Sequence, residues 1–333
     1  MSPHRLVTID DVHAAAARVR GVVPETPLVT VGPSGPDGVP FALKCEHQSP
    51  IGAFKLRGAY NLMTQLASDE RAAGVVTFSS GNHAQAVARS AQLLGVPAVV
   101  VMPTTAPSFK VERTRQYGAE VILEGTTSME RQARAEAEAS RRGMVIVPPF
   151  DDARIIAGAG TVGLEIVGQA PGLSVVFVPV GGGGLLSGVA VAVRALAPQA
   201  IVVGVEPVGA SCMAASLAAG HPVTLPRTAS IADGLLPVRP GDLTFRHAQA
   251  LVHEVRTVGE TAIADAMRWI YDATGMLVEP SGAVGVAAAL AEGPARLGVV
   301  AVVSGGNVAP AAFHAMTARG EPGNLSAPGL VSG

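Results

Sequence analysis

Short, almost wholly apolar runs alternate along this chain with alanine-rich segments whose apolar positions recur at helical spacing. Residues 74–79, 98–102, 174–180, 201–206 and 299–304 are dominated by valine and bounded by Gly, Pro, Ser or Asn. An uninterrupted apolar run of that length marks a strand buried on both faces, as in a parallel sheet. Residues 120–123 and 144–147 read as further strands. The spacing predicts helices over 83–94, 110–117 and 130–142, with others starting near Gly158, Leu185, Thr261 and Ser281. A first amphipathic helix is expected from Thr8 to about Val22, with Asp10 and Asp11 in its opening turn. Strands alternating with helices imply an α/β protein whose parallel strands are joined by crossover helices. No internal repeat or flexible linker divides the chain, and the Gly-, Pro- and Ser-rich stretch from Gly320 reads as a loose end.

Composition narrows the picture. A chain of 333 residues with 48% hydrophobic and 4% aromatic content can bury a large core. A net charge of −2 gives no electrostatic reason to bind nucleic acid or an anionic membrane, so the expected partners are small molecules. Cys45 and Cys212 are too few for a disulfide framework, which points to a reducing, cytoplasmic setting. The N-terminus lacks the apolar core of a signal peptide. Residues 166–193 carry no charge, but Pro171, Pro179 and four consecutive glycines make strand, loop and helix a better reading than a membrane span.

The chain has three lysines against twenty-one arginines, so lysine is not its default surface cation. Lys55, in G-A-F-K-L-R-G-A, sits among small and apolar residues. An arginine there would carry charge, but only an amine condenses with a carbonyl. The plainer alternative is a helix-start lysine paired with a carboxylate.

Four segments are expected where a strand ends and a helix begins, the place where open α/β sheets bind ligands. The first is Lys55 with Phe54, whose ring would lie against a flat group. In the second, S-S-G-N-H, Ser79 and Ser80 end a strand, Gly81 permits a tight turn, and the helix that follows offers amides to a carboxylate. An N-cap with a glycine turn would look the same. The third, Gly181, Gly182, Gly183 and Gly184 followed by Leu185, suits a phosphate held by backbone amides and a helix dipole. Its rivals are a mere turn and a dinucleotide fold with Glu206 as the ribose-binding acid, although the run is not G-x-G-x-x-G. The fourth is S-G-G-N, where the Ser304 hydroxyl would meet a ring heteroatom, or simply close a strand. An amine, a monophosphate cradle, an aromatic neighbour, a carboxylate cradle and a hydroxyl together match one cofactor, pyridoxal 5′-phosphate (PLP), with an amino acid as substrate.

These motifs resemble the β-family, or fold type II, of PLP enzymes, in its threonine/serine dehydratase and serine racemase branch. The likeness runs from about Val7 to His314 and includes G-A-F-K-L-R-G-A, S-S-G-N-H-A-Q, V-M-P-T-T-A-P-S-F-K, I-A-G-A-G-T, G-G-G-G-L, I-A-D-G, E-P-S-G-A and S-G-G-N-V. The resemblance implies two open twisted sheet domains with helices on both faces. Residues 1–49 and 148–333 would form a large cofactor-binding domain, and 50–147 a small one that closes over substrate. Lys55 would form the Schiff base with the cofactor and later move the Cα proton. Phe54 would pack on the ring, Asn82 would contact its 3′-hydroxyl, Gly181 to Leu185 would hold the phosphate, and Ser304 would face the pyridine nitrogen. Ser79, Asn82 and His83 would hold the substrate carboxylate, partly through backbone amides. A homodimer or higher homo-oligomer is expected on the same ground, and no C-terminal regulatory domain is expected because the chain ends soon after S-G-G-N.

A neutral serine opposite the ring nitrogen makes the ring a weaker electron sink, so expulsion of a β-hydroxyl is favoured over transamination. The expected activity is therefore β-elimination from L-threonine or L-serine, giving a 2-oxo acid and ammonia. Ser80 keeps a racemase reading open, since a hydroxyl opposite Lys55 would reprotonate the far face of Cα. Arg131 matches a position near the substrate side chain, where a guanidinium would read the β-carboxylate of 3-hydroxyaspartate, unless it is a solvated helix arginine. Family members also bind a cation through a glutamate, a carbonyl and an aspartate. Glu206 and the carbonyl of Ala210 match, but Cys212 replaces the aspartate and is a poor Mg²⁺ ligand, leaving a monovalent ion or a simple structural salt bridge of Glu206. The reading from a different class is a non-catalytic nucleotide- or phosphate-binding protein.

Overall fold

A computed structural model describes residues 5–32, 39–292 and 297–318, so the stretch from Gly320 lies outside the described residues. The strands are β1 (Leu28–Val31), β2 (Phe41–Cys45), β3 (Val75–Phe78), β4 (Ala98–Met102), β5 (Glu120–Leu123), β6 (Val145–Ile146), β7 (Val175–Pro179), β8 (Ile201–Pro207), β9 (Glu254–Val258) and β10 (Val299–Val303). The helices before the centre of the chain are α1 (Ile9–Val19), α2 (Lys55–Met63), α3 (Ser68–Ala73), α4 (Asn82–Leu94), α5 (Ser108–Gln116) and α6 (Ser128–Arg142). Those after it are α7 (Ala153–Gln169), α8 (Gly184–Leu196), α9 (Cys212–Ala219), α10 (Asp242–Leu251), α11 (Glu260–Thr274), α12 (Pro280–Glu292) and α13 (Pro310–Thr317).

They build two sheets. The larger has the order β1-β2-β10-β7-β8-β9, parallel except for β1, which pairs antiparallel with β2. The smaller, β5-β4-β3-β6, is wholly parallel. The valine-rich runs are buried along their whole length in β4, β7 and β10, as two-sided helix cover requires. Both sheets therefore direct the carboxyl ends of central strands, β3, β7 and β10, into loops that carry the predicted motifs.

Several boundaries differ from the sequence expectation. The first helix ends at Val19 because Gly21 takes a left-handed φ of 83°. Its start is as expected: Thr8 and Asp11 form a capping box. The helix expected near Gly158 begins at Ala153, capped by the Asp152 carboxylate accepting from the Arg154 amide. Gly158 lies inside that helix instead. A Cβ there would stand 2.5 Å from the Arg57 carbonyl oxygen, so the glycine lets α7 press directly on the backbone of α2.

That contact is reinforced by charge. Arg57, 1% exposed, donates through Nε and Nη2 to Glu46 and through Nη1 and Nη2 to Glu165. Lys44 donates to the same Glu165 and to the carbonyl of Thr26. Two cations thus face two carboxylates, joining β2, the turn after it, α2 and α7. Removing one member strands its partners away from water, which costs far more than loss of an exposed pair. Arg57→Leu is expected to destabilise the fold by about 3–5 kcal/mol in denaturant unfolding. Arg134→Ala, at a 39% exposed ion-paired side chain on α6, is expected to cost under about 1 kcal/mol.

Candidate active site

Lys55 is the first residue of α2, and Arg57, two residues on, anchors that helix. The segment ahead of Lys55 is not a strand but an extended turn, joined to the end of β10 by an Ala53–Gly305 bridge and by the Phe54 amide donating to the Ser304 carbonyl at 3.2 Å. The expected strand-to-helix junction is therefore absent at Lys55. It is absent at Ser304 too, where β10 runs into a loop before α13. Backbone pairing brings these two segments together instead.

A cavity of about 580 Å³ lies between the two sheets. Phe54, Lys55, Ser79, Ser80, Asn82 and His83 line it, as do Arg131, Gly182 and Ser304. The Lys55 ammonium stands 5.1 Å from the Phe54 ring centroid and donates to the Pro149 carbonyl at 2.8 Å. Among the described residues it has no carboxylate partner, and burial lowers its pKa from 10.5 to about 8. The salt-bridged helix-start reading fails on that point.

Around it, the Ser79 hydroxyl accepts from the Gly81 amide at 3.2 Å, shaping the turn into α4. No side chain caps α4, which leaves its first amides directed at the cavity. The His83 ring is only 3% exposed and contacts the Val147 carbonyl at 3.0 Å. Burial, with Lys55 nearby, pushes its pKa down to about 3, so this imidazole stays neutral. Only the backbone of His83 remains available to an anion. The Ser304 hydroxyl is uncharged and donates to the Ser281 carbonyl at 3.3 Å.

Of the glycine run, Gly182 reaches the cavity wall while Gly181, Gly183, Gly184 and Leu185 form the turn and first helical residues behind it. Gly183 has φ 98° and leaves α8 without a side-chain cap. The loop is clamped from outside. Thr244 Oγ1 donates to the Gly182 carbonyl at 2.6 Å, and the Asp151 carboxylate accepts three amides at the start of α10. Sequence reasoning missed this clamp because Asp151 and Thr244 are far apart in the chain and belong to no recognisable spacing.

Arg131, on α6, donates to the Thr126 carbonyl at 3.2 Å and keeps a buried Nε without a partner. Lys110 and Glu279 also line the cavity and were given no role from sequence. Lys110 pairs with Asp233 at 2.9 Å, and the rarity of lysine was the one available signal for it. Glu279 is the only acid in the stretch 273–291, a signal that burial makes meaningful.

Glu206, Ala210 and Cys212 lie outside the cavity lining. Among the described residues Glu206 makes no salt bridge; its carboxylate accepts from the amides of Met213 and Ala214 at 2.8 and 2.9 Å, capping α9. That contact also turns it away from the ribose-binding role of a dinucleotide fold. Burial raises the Cys212 thiol to about 12, so it supplies no charge. A carboxylate already occupied by two amides and a neutral thiol make a poor shell for a divalent cation, and among the described residues no cluster of three His, Cys, Asp or Glu side chains could hold one. Among the same residues no helix is long and apolar enough to cross a membrane.

Comparison with known proteins agrees with this geometry. The family signature described as "Pyridoxal-phosphate dependent enzyme" matches residues 19–306. The chain is 42% identical over 305 residues to L-threonine ammonia-lyase of Thermotoga maritima, covering 91% of this chain and 76% of that protein. It is 40% identical over 310 residues to serine racemase of Oryza sativa subsp. indica, covering 90% and 91%. Its fold superimposes with a TM-score of 0.87 on the processed form of threonine deaminase isoform 2 from Solanum lycopersicum, at 37% identity and 95% and 97% coverage. With the cavity and these relatives in view, the chain belongs to the pyridoxal-phosphate dependent enzymes of fold type II.

Proposed function

We propose that this enzyme removes the β-hydroxyl and amino groups of L-threonine or L-serine, releasing a 2-oxo acid and ammonia. The observation that carries the reading is the Lys55 amine, unpaired with any carboxylate and held near a pKa of 8, at one end of a cavity whose other walls are the glycine loop, the α4 amides and Ser304. The names and high coverage of the threonine ammonia-lyase relatives support it.

The cavity fits the cofactor. A Cβ on Gly182 would stand 2.2 Å from Phe150 Cδ1, so the loop backbone reaches the cavity only as glycine, and the uncapped start of α8 offers amides to a phosphate. Phe54 would flank the ring, and Ser304 would face its nitrogen without adding charge. When bound, PLP supplies an electron sink that acidifies the substrate Cα–H. Burial lowers the Lys55 pKa to about 8, which leaves a minority of the amine neutral at pH 7, and that form can take the proton. The turn 79–82 would hold the substrate carboxylate, with the Lys110 ammonium behind Gly81 adding attraction. The β-hydroxyl would then leave as water, taking up the proton that Lys55 had accepted, and the released enamine would hydrolyse to the oxo acid and ammonia. In this reading residues 50–147 move as the closing body over 1–49 and 148–333. Free Cys45 and Cys212 favour a reducing, cytoplasmic setting, and a homodimer is expected as in the family.

A second reading, amino-acid racemisation, is favoured by Ser80, which lines the cavity, and by the rice serine racemase relative. Incubation with L-threonine and L-serine is expected to yield 2-oxo acid as the main product, and Lys55→Ala to abolish it; full activity in that variant would overturn the reading. Ser80→Ala is expected to spare elimination while removing any D-enantiomer; dominant D-serine formation by the parent enzyme would make it a racemase. Gly182→Ala is expected to weaken PLP binding about tenfold or more in spectroscopic titration, through overpacking against Phe150.

A further inference from the structure

Four side chains cross between the two sheets in one unbroken line of hydrogen bonds. Arg113 Nη1, on α5, donates to Asn307 Oδ1 at 2.9 Å. Asn307 Nδ2 donates to the Ile51 carbonyl at 2.9 Å and to Asn82 Oδ1 at 2.8 Å. Asn82 Nδ2 in turn donates to Glu279 Oε1. The two end groups leave no freedom in how the amides point. A guanidinium only donates and an ionised carboxylate only accepts, so neither asparagine can rotate by half a turn without losing a partner. Asn82, which lines the cavity, spends one N–H on Glu279 and its Oδ1 on Asn307, which leaves its second N–H for a ligand.

Glu279 is 3% exposed, and its Oε2 is buried with no partner, although a buried carboxyl oxygen ordinarily finds one. The Gly305 backbone closes one side of it: a Cβ on Gly305 would stand 2.0 Å from Oε1. The charged groups acting on it are Lys110 from α5 and Asp233 from the turn before α10, themselves paired with each other. Nothing in elimination chemistry as derived above uses this carboxyl.

We propose that Glu279 is a positioning residue for the reaction: as the acceptor-only end of the line Arg113–Asn307–Asn82–Glu279, it fixes the Asn82 amide so that an N–H is presented to the 3′ oxygen of the cofactor. The inference rests on the role given to Asn82 above. Burial, with the Asp233 charge, raises the Glu279 carboxyl to about 7 against the pull of Lys110 and the Asn82 N–H. The orienting form is the carboxylate, present above that value and lost as pH falls through it.

The test compares the holoenzyme with Glu279→Gln, following both the absorbance of bound cofactor and kcat across pH 5.5–8.5. The glutamine can accept or donate, so it no longer dictates how Asn82 points. The parent is expected to show a spectral change and a rising kcat limb near pH 7. Glu279→Gln should lack both and lose about tenfold in kcat at pH 8, the equivalent of one hydrogen bond to a charged group. The same titration in both proteins, or none in the parent, overturns the proposal. Arg113→Gln, at an exposed position where folding is not at risk, should shift the cofactor spectrum in the same direction by a smaller amount; an unchanged spectrum overturns the line of bonds independently. A protein that never turns yellow with PLP would instead overturn the function reading itself, whereas a yellow Glu279→Gln enzyme with the parent titration overturns this inference alone.

Discussion

Everything in the active site hangs on where α2 is held, and α2 is held by Arg57. Its guanidinium joins Glu46 and Glu165 in the interior while Gly158 lets α7 touch the α2 backbone. Burying two cations with two carboxylates adds little net stability over an apolar core. What it does supply is direction, because a guanidinium between two carboxylates tolerates few geometries. Lys55 begins the same helix, so the network that fixes α2 also fixes where the Lys55 side chain starts. Among the described residues the lysine itself has no carboxylate partner, so two cations two residues apart stand in opposite electrostatic settings.

The same logic divides the chain's three lysines. Lys44 is wholly buried and belongs to the Arg57 network, and Lys110 ties α5 to Asp233 across the cavity mouth. Only Lys55 keeps its charge uncompensated, and burial then lowers its proton affinity into a range where a neutral amine is available. The cavity shows how two parallel sheets can make one site: the larger contributes the loops after β7 and β10, and the smaller the turn after β3. The polar line through Asn82 is the direct hydrogen-bonded link between them at that point.

Much of this was legible in the sequence, for a physical reason. Strands buried on both faces must be apolar at every position, so β4, β7 and β10 announced themselves, and the turns at their ends carried Ser, Gly and Asn. The strands β1, β2 and β9 are mixed in polarity: β1 contains Thr30, β2 contains Lys44, and β9 carries the exposed Glu254 and Thr257, so none gives a continuous run. The start of α7 was misplaced because the small residues 157–160 resemble a turn, whereas they serve helix contact. Lys55, Ser80, Gly182 and Ser304 were readable because each lies in a compact motif. Asp151, Thr244 and the role of Glu279 were not, since the amides held by Asp151 lie 91 or more residues away, the Gly182 carbonyl held by Thr244 lies 62 away, and Asn82 lies 197 from Glu279. Long-range hydrogen bonds leave no local spacing to read.

The account turns on Lys55 as the residue that holds the cofactor, and three lysines make that directly measurable. The PLP-loaded enzyme, reduced with borohydride, digested and mapped by mass spectrometry, should carry a single reduced pyridoxyl group on the peptide containing Lys55. The group on Lys44 or Lys110, or no lysine modified in a protein that binds PLP, would contradict the account.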